Sequence, residues 1–107
     1  MLVWNKADAL QRLMNNEALL NRVVALFVKT VPAQMEELKA SAASDDRKTL
    51  NRLAHTLKGA SANIGGEVMS EVCARLEQAS ASAGNDVTPL LAEAEQACAT
   101  LLEQLPH

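Results

Sequence analysis

The chain has almost no aromatic residues, with one tryptophan, one phenylalanine and no tyrosine among its 107 residues. Because 49% of the residues are nevertheless hydrophobic, the core must be aliphatic, built from leucine, valine, alanine and methionine. Glycine and proline are also scarce, at four and three residues. An alanine- and leucine-rich chain with few helix breakers favours an all-α protein, and its length fits one domain spanning residues 1–107.

Other absences narrow the function. No apolar run approaches the roughly 20 residues of a membrane-spanning helix, and the start from Met1 to Lys6 lacks the layout of a secretory signal. A net charge of -3 without a lysine or arginine block gives no reason to expect nucleic-acid binding. Cys73 and Cys98 lie in helical apolar patterns without C-x-x-C spacing, which predicts buried free thiols. We expect a soluble cytoplasmic chain, or the cytoplasmic part of a membrane-bound protein.

Helical periodicity divides the first half of the chain into two helices. The first runs from about Trp4 to Met14 and ends at Asn15-Asn16, either of which can cap the next helix. Its predicted inward residues are Ala7, Leu10, Leu13 and Met14. The second runs from Glu17 to about Ala43, and Pro32 should kink or break it. Trp4 is expected to cover one end of a bundle.

Three further helices follow. Ser44 is the predicted N-cap of a central helix that ends near Ile64, where Gly65-Gly66 supplies a helix exit. The next helix spans about Glu67 to Ser82, and the last begins with Thr88 as N-cap and Pro89 at its first position. Short polar connections between amphipathic helices predict an antiparallel (up-down) four-helix bundle with a short extra N-terminal helix and a proline-kinked second helix.

The central helix carries the one histidine in the body of the chain. Leu50, Leu53 and Leu57 recur at helical spacing and define its buried stripe. His55 lies two residues before Leu57, which places its side chain on the opposite, outward side of the helix. The same outward face carries Lys48, Asn51, Arg52, Lys58, Gly59 and Ala62.

Gly59 needs an explanation, because a glycine inside a helix costs about 0.5–1 kcal/mol relative to alanine. The missing side chain lets another molecule reach the imidazole of His55. A neutral imidazole is a good nucleophile toward an activated phosphoryl group, and Lys58, one turn on, can balance the phosphoryl oxygens. The alternative is that His55 and Lys58 are ordinary solvated side chains.

The stretch from His55 to Gly59, HTLKG, is followed by small residues and then Ile64-Gly65. This pattern resembles the signature of histidine-containing phosphotransfer (HPt) domains, which carry a phosphoryl group between receiver domains in bacterial phosphorelays. The helix order, the Phe27–Pro32 region and the Leu76-Glu77 pair also match, so the resemblance covers nearly the whole chain. It implies that His55 accepts a phosphoryl group from one receiver-domain aspartate and passes it to another.

The resemblance also implies roles for other residues. HPt domains are modified on the ring nitrogen farther from the backbone, and the residue matching Glu77 accepts a hydrogen bond from the other nitrogen. Receiver docking would use Gly59 and Ala62 as a flat floor. Its basic and polar rim would consist of Lys48, Asn51 and Arg52. The expected chain is a monomer and the C-terminal module of a hybrid sensor kinase.

The machinery for a kinase is missing from the sequence. It has no G-x-x-x-x-G-K-[ST] loop and no acidic cluster placed to hold magnesium beside His55. We therefore expect no cofactor of its own, no ATPase activity and no autokinase activity, with Mg²⁺ supplied by the receiver domain.

Other interpretations stay open at this point. The phosphorylatable N-terminal domain of chemotaxis-type kinases shares the fold and the motif, and a helical-bundle adaptor without transfer activity would share the fold alone. A metal site built from His55, Cys73, Cys98 and His107 would lack the Glu-x-x-His pairs typical of helical bundles. The dimerisation helix of a sensor kinase usually has an acidic residue directly after its histidine, whereas here Thr56 follows.

Overall fold

The computed structural model describes residues 1–106 and folds them into five α-helices. The helices are α1 (Lys6–Arg12), α2 (Glu17–Ala43), α3 (Arg47–Asn63), α4 (Glu67–Ser80) and α5 (Thr88–Gln104). Each helix from α2 to α4 packs against the next, and α5 closes the bundle against α2. Residues 1–106 contain no strand, so the prediction of an all-α four-helix bundle with a short extra helix is confirmed. None of these helices has both the length and the hydropathy that a membrane crossing needs.

Helices α3 and α4, which have the most extensive interface, run antiparallel. Near the start of α3, the Asn51 side chain donates a hydrogen bond to the carbonyl of Glu77 near the end of α4. Farther along α3, the carbonyl of Lys58 accepts a hydrogen bond from Ser70 near the start of α4. This register brings the middle of α3 beside the second half of α4, where the site is formed.

The core is aliphatic, as the composition predicts. Its largest fully buried side chains include Leu20, Leu38, Leu50, Leu57, Ile64, Met69, Leu76 and Leu101. Cys73 and Cys98 are free and buried, as expected. Burial, with a smaller contribution from Cys98, raises the pKa of the Cys73 thiol to about 12. This thiol is therefore neutral at physiological pH and packs as a small hydrophobic side chain.

The first helix is shorter than its apolar pattern predicts. Helix α1 ends at Arg12, and Met14 and Asn15 adopt positive φ angles that turn the chain toward α2. The Met14 side chain is consequently 90% exposed, and Ala7 is exposed while Ala9 is buried. The inward positions predicted for Ala7 and Met14 are wrong: the turn takes Met14 out of the helical period, and α1 buries Ala9 in place of Ala7.

The connection between α2 and α3 also differs from the prediction. Ser44 is the C-cap of α2, and Asp46 is the N-cap of α3, accepting a hydrogen bond from the amide of Thr49. Asp45 has a φ of 56°, so the chain makes a left-handed turn before α3 begins. This turn moves the cap two residues beyond Ser44.

Two prolines lie inside helices. Helix α2 continues through Pro32, so the predicted break is wrong, while a kink there stays a prediction. Helix α5 starts at Thr88, whose amide donates to the side chain of Asp86, so Thr88 is the first helical residue and not the cap. Pro89 follows in the first turn, where its missing N–H breaks no helical hydrogen bond.

The N-terminal segment closes over the turn between α3 and α4. The amide of Asn5 donates to the carbonyl of Gly65 at 2.7 Å, and the indole N–H of Trp4 donates to the carbonyl of Ile64 at 2.8 Å. Trp4 thus covers this end of the bundle, as predicted. Gly65 has a φ of 84°, in the left-handed region that glycine adopts most easily.

Replacing Gly65 by alanine should lower the free energy of unfolding by about 2–3 kcal/mol. A Cβ at this position would clash with the carbonyl oxygen of Asn5, so the N-terminal segment would have to move. Urea denaturation would measure the loss. Gly84→Ala is the matched control, because Gly84 also has a positive φ but no atom within 4 Å of its added Cβ. Equal losses in the two variants would show that the contact with Asn5 contributes nothing.

Candidate functional site

His55 lies in the middle of α3 on the surface of the bundle. Its side chain is 66% exposed, while Leu53, Ala54 and Leu57 on the same helix are buried in the core. Helical spacing alone separates these two faces, because residues two apart point to nearly opposite sides. The outward position predicted for His55 is confirmed.

Glu77 on α4 holds both polar side chains of the site. Its Oε2 lies 2.8 Å from Nδ1 of His55, and its Oε1 lies 2.7 Å from Nζ of Lys58. The carboxylate is 23% exposed, so it lies against the bundle beneath the more exposed imidazole. The antiparallel register of α3 and α4 brings the three groups together, although Glu77 follows His55 by 22 residues in the sequence.

The charge on Glu77 determines which nitrogen of His55 carries the proton. The hydrogen bond from Lys58 is the largest influence on the pKa of the Glu77 carboxyl and lowers it; burial opposes this effect, and the hydrogen bond from His55 lowers the pKa further. An ionised carboxylate can only accept hydrogen bonds, so Nδ1 of His55 is the donor. In the neutral ring, Nε2 therefore carries the free lone pair.

The lowered pKa of Glu77 has a defined consequence for stability. The unfolded chain takes up this proton at a higher pH than the folded chain does. The contact therefore contributes fully above the ordinary carboxyl pKa, and its contribution is lost as the pH falls through the lowered value in the folded chain.

Polar contacts between α3 and α4 support the site from behind. The Asn51 side chain donates to the carbonyl of Glu77 at 2.8 Å and to Oγ of Ser80 at 3.2 Å. Ser70 donates to the carbonyl of Lys58 at 3.0 Å. Neither serine stands out in the sequence, although Ser80 lies at a buried position of α4. The Asn51 side chain already makes hydrogen bonds to α4, and its part in docking stays a prediction.

The predicted docking surface is open. Gly59 is exposed, and no atom outside its own helix backbone lies within 4 Å of where its Cβ would be. Arg52 and Lys48 are exposed, and Ala62 is half-buried. A partner protein could therefore approach His55 across Gly59 without moving any side chain of this chain.

The donor set around His55 does not fit a divalent metal. Glu77 is the carboxylate in contact with the imidazole, and both of its oxygens are already engaged by His55 and Lys58. Within residues 1–106, no three histidine, cysteine, aspartate or glutamate side chains are grouped as metal ligands. Cys73 and Cys98 are in the core while His55 faces solvent, and His107 lies outside the described residues.

A helical bundle that presents an exposed histidine, held by a carboxylate of the next helix, is the arrangement expected of a histidine phosphotransfer module. Comparison with known families agrees: the sequence model described as "Hpt domain" matches residues 22–107. The chain therefore belongs to the Hpt domain family, whose members carry phosphoryl groups in phosphorelays.

Two relatives show where such modules occur. The sensor protein TorS of Escherichia coli (strain K12) is 33% identical over 60 residues, which cover 56% of this chain and 7% of TorS. The crystal structure of the HPT domain from the Hpt sensor hybrid histidine kinase of Shewanella matches with a TM-score of 0.85. That match is 18% identical and covers 94% of this chain and 88% of the other, so it establishes the fold.

Proposed function

We propose that this Hpt domain accepts a phosphoryl group on Nε2 of His55 from a receiver-domain aspartate and passes it to the aspartate of another receiver. The contact between Nδ1 of His55 and Glu77 carries this proposal, because it leaves Nε2 as the nucleophilic nitrogen of an exposed ring. Gly59 beside it leaves room for the partner. The module would belong to a hybrid sensor kinase in the cytoplasm, as the two sensor-protein relatives suggest.

The phosphoryl transfer needs no proton to leave the site. The Nε2 lone pair of His55 forms the bond to phosphorus, and the bond between phosphorus and the aspartate oxygen breaks. The aspartate leaves as a carboxylate, and the ring keeps its Nδ1 proton. Glu77 is already placed to stabilise the positive charge that the ring develops, since its carboxylate accepts from Nδ1. The reverse step regenerates the neutral ring.

Lys58 has two partners in this scheme. In the unmodified chain its ammonium is 2.7 Å from Glu77, with 35% of its side chain exposed. When His55 becomes phosphorylated, new negative charge appears one turn away on the same face. The flexible lysine can then turn toward the phosphoryl oxygens while Glu77 keeps its hydrogen bond to the ring.

The chain would act as a covalent carrier, not a kinase. A phosphoryl transfer needs a metal and charge clamps, and the residues around His55 offer a nucleophile and one lysine. The partner receiver would supply the Mg²⁺. We expect no ATPase and no autokinase activity, and a monomer that docks through the face around His55.

The proposal can be tested by phosphoryl transfer from a donor receiver. A panel of receiver domains, phosphorylated on aspartate with acetyl phosphate and Mg²⁺, is incubated with the chain. We expect acid-labile, base-stable label on the chain from at least one receiver and none from ATP alone. Label from ATP without a kinase would contradict the carrier function, and absence of label from every receiver would contradict the transfer itself.

Glu77→Ala should change the tautomer of His55 and slow the transfer by about tenfold, a typical effect for a residue that orients a nucleophile. Without the carboxylate, nothing holds the proton on Nδ1, so the ring should move toward the Nε2–H form. Nitrogen-15 NMR of the neutral ring measures this population directly. Glu71→Ala is the control, because Glu71 lies on the same helix but pairs with Arg75. An unchanged tautomer in Glu77→Ala would refute the positioning role.

A further inference from the structure

The lysines and arginines of this chain divide into two groups according to whether they pair with a carboxylate. Six of the ten make an ion pair with a carboxylate: Lys6, Arg12, Lys39, Arg47, Lys58 and Arg75. Within residues 1–106, the four without an ion pair are Arg22, Lys29, Lys48 and Arg52, all on α2 and α3. The chain as a whole has a net charge of -3, so this unpaired positive charge opposes its overall sign.

An apolar groove lies between the same two helices. It has a volume of about 180 Å³ and runs between Val23, Leu26 and Thr30 of α2 and Ala60 and Asn63 of α3. Leu26 is 61% exposed at this groove, although leucine would gain by burial. A single exposed leucine is common on protein surfaces, but here Leu26 joins the concave apolar lining of the groove into one contiguous patch, and such patches mark protein–protein contacts.

The groove is continuous with the surface around His55. Ala60 and Asn63 follow His55 by five and eight residues, which places them roughly 7 Å and 12 Å farther along α3. Gly59, between them and the histidine, is open. On α2, Arg22 and Lys29 are four residues before and three residues after Leu26, so they lie beside it on the same helix surface.

We propose that this groove is the recognition site for the receiver domain, and that the receiver inserts an apolar side chain beside Leu26 from a surface edged with acidic residues. The inference rests on the proposed function and specifies the partner's chemistry. Apolar burial at Leu26 supplies affinity, whereas the four cations steer the encounter and select receivers with negative charge at matching positions. The site lies outside the motif around His55, so it can differ between modules that share the same chemistry.

A second copy of the chain fits this surface poorly. A symmetric dimer through the groove would bring Arg22 and Lys29 of both copies together with no carboxylate between them. Such juxtaposed like charges oppose association. An acidic partner removes this repulsion and gives Arg22 and Lys29 a counter-charge.

The test compares groove variants with matched controls, using the receivers that label the wild-type chain. Leu26→Gln should raise the Kd for the receiver by about tenfold, because glutamine keeps the helix but removes the apolar contact. Met14→Gln is its control, since Met14 is more exposed but lies outside the groove. The double variant Arg22→Gln/Lys29→Gln should lower the association rate about tenfold at low salt and flatten its salt dependence. The control for this charge change is Lys6→Gln/Arg12→Gln, which removes the same charge from α1.

The outcomes separate this inference from the proposed function. If the wild type is labelled and Leu26→Gln binds with unchanged Kd, the groove is not the recognition site although the transfer stands. If the wild type sediments as a dimer that Leu26→Gln dissociates, a second copy occupies the groove and the inference is overturned. If no receiver labels the wild type, the proposed function fails first and this inference fails with it.

Discussion

The variant His55→Gln should take up no phosphoryl group from any receiver, a loss of more than about a thousandfold in the transfer rate. Glutamine has no nucleophilic nitrogen, so the bond to phosphorus cannot form at this position. The fold should be unaffected, because the His55 side chain is 66% exposed and glutamine is a good helix former. Circular dichroism and thermal unfolding would verify the fold, and labelling from a phosphorylated receiver would measure the transfer.

The other histidine provides the matched control for this experiment. His107→Gln makes the same chemical change at the last residue of the chain and should be labelled like the wild type. Receiver binding by His55→Gln should also persist, since the docking surface does not depend on the imidazole. Label on His55→Gln that is acid-labile and base-stable, as phosphohistidine is, would contradict this prediction. It would place the acceptor elsewhere.

Gly59→Gln should fold normally and transfer about a hundredfold more slowly. No atom outside the helix backbone would contact an added Cβ, so the side chain projects into the space that the partner needs. A displacement of about 1 Å between reacting groups can cost this much in rate. The measurement is kcat/KM for phosphoryl transfer from the receiver, together with urea denaturation of the free chain.

A size series separates obstruction from instability. Gly59→Ala should raise the free energy of unfolding by about 0.5–1 kcal/mol and slow the transfer less than glutamine does. Ala92→Gln, at an exposed position of α5, adds the same side chain away from His55 and should transfer at the wild-type rate. If Gly59→Gln transferred as fast as the wild type, the glycine would have no part in docking.

Periodicity predicted the helices well wherever the apolar pattern was uninterrupted. The stripe of Leu50, Leu53 and Leu57 identified both the buried side of α3 and the exposed side that carries His55. Apart from the break predicted at Pro32, the errors lie at helix ends. Left-handed residues at Met14 and Asp45 redirect the chain there, and neither residue type signals a positive φ strongly enough to be read from sequence.

The site was only partly predictable. Glu77 came from resemblance to a family and not from spacing, because its position beside His55 depends on the register between α3 and α4. The same register makes Lys58 a partner of Glu77, whereas sequence reasoning assigned its charge to His55 and the phosphoryl oxygens. The groove at Leu26 could not be anticipated, since it forms only where α2 packs against α3, and residue patterns describe each helix by itself.

The sequence by itself determined the helical class of this protein, the outward direction of His55 and the open position at Gly59, because these follow from the pitch of a single helix. Only the tertiary structure decided that one carboxylate holds both His55 and Lys58, and that Arg22 and Lys29 lie beside an apolar groove. Such contacts join side chains from different helices. Their distances depend on how whole helices pack, which local residue patterns do not encode.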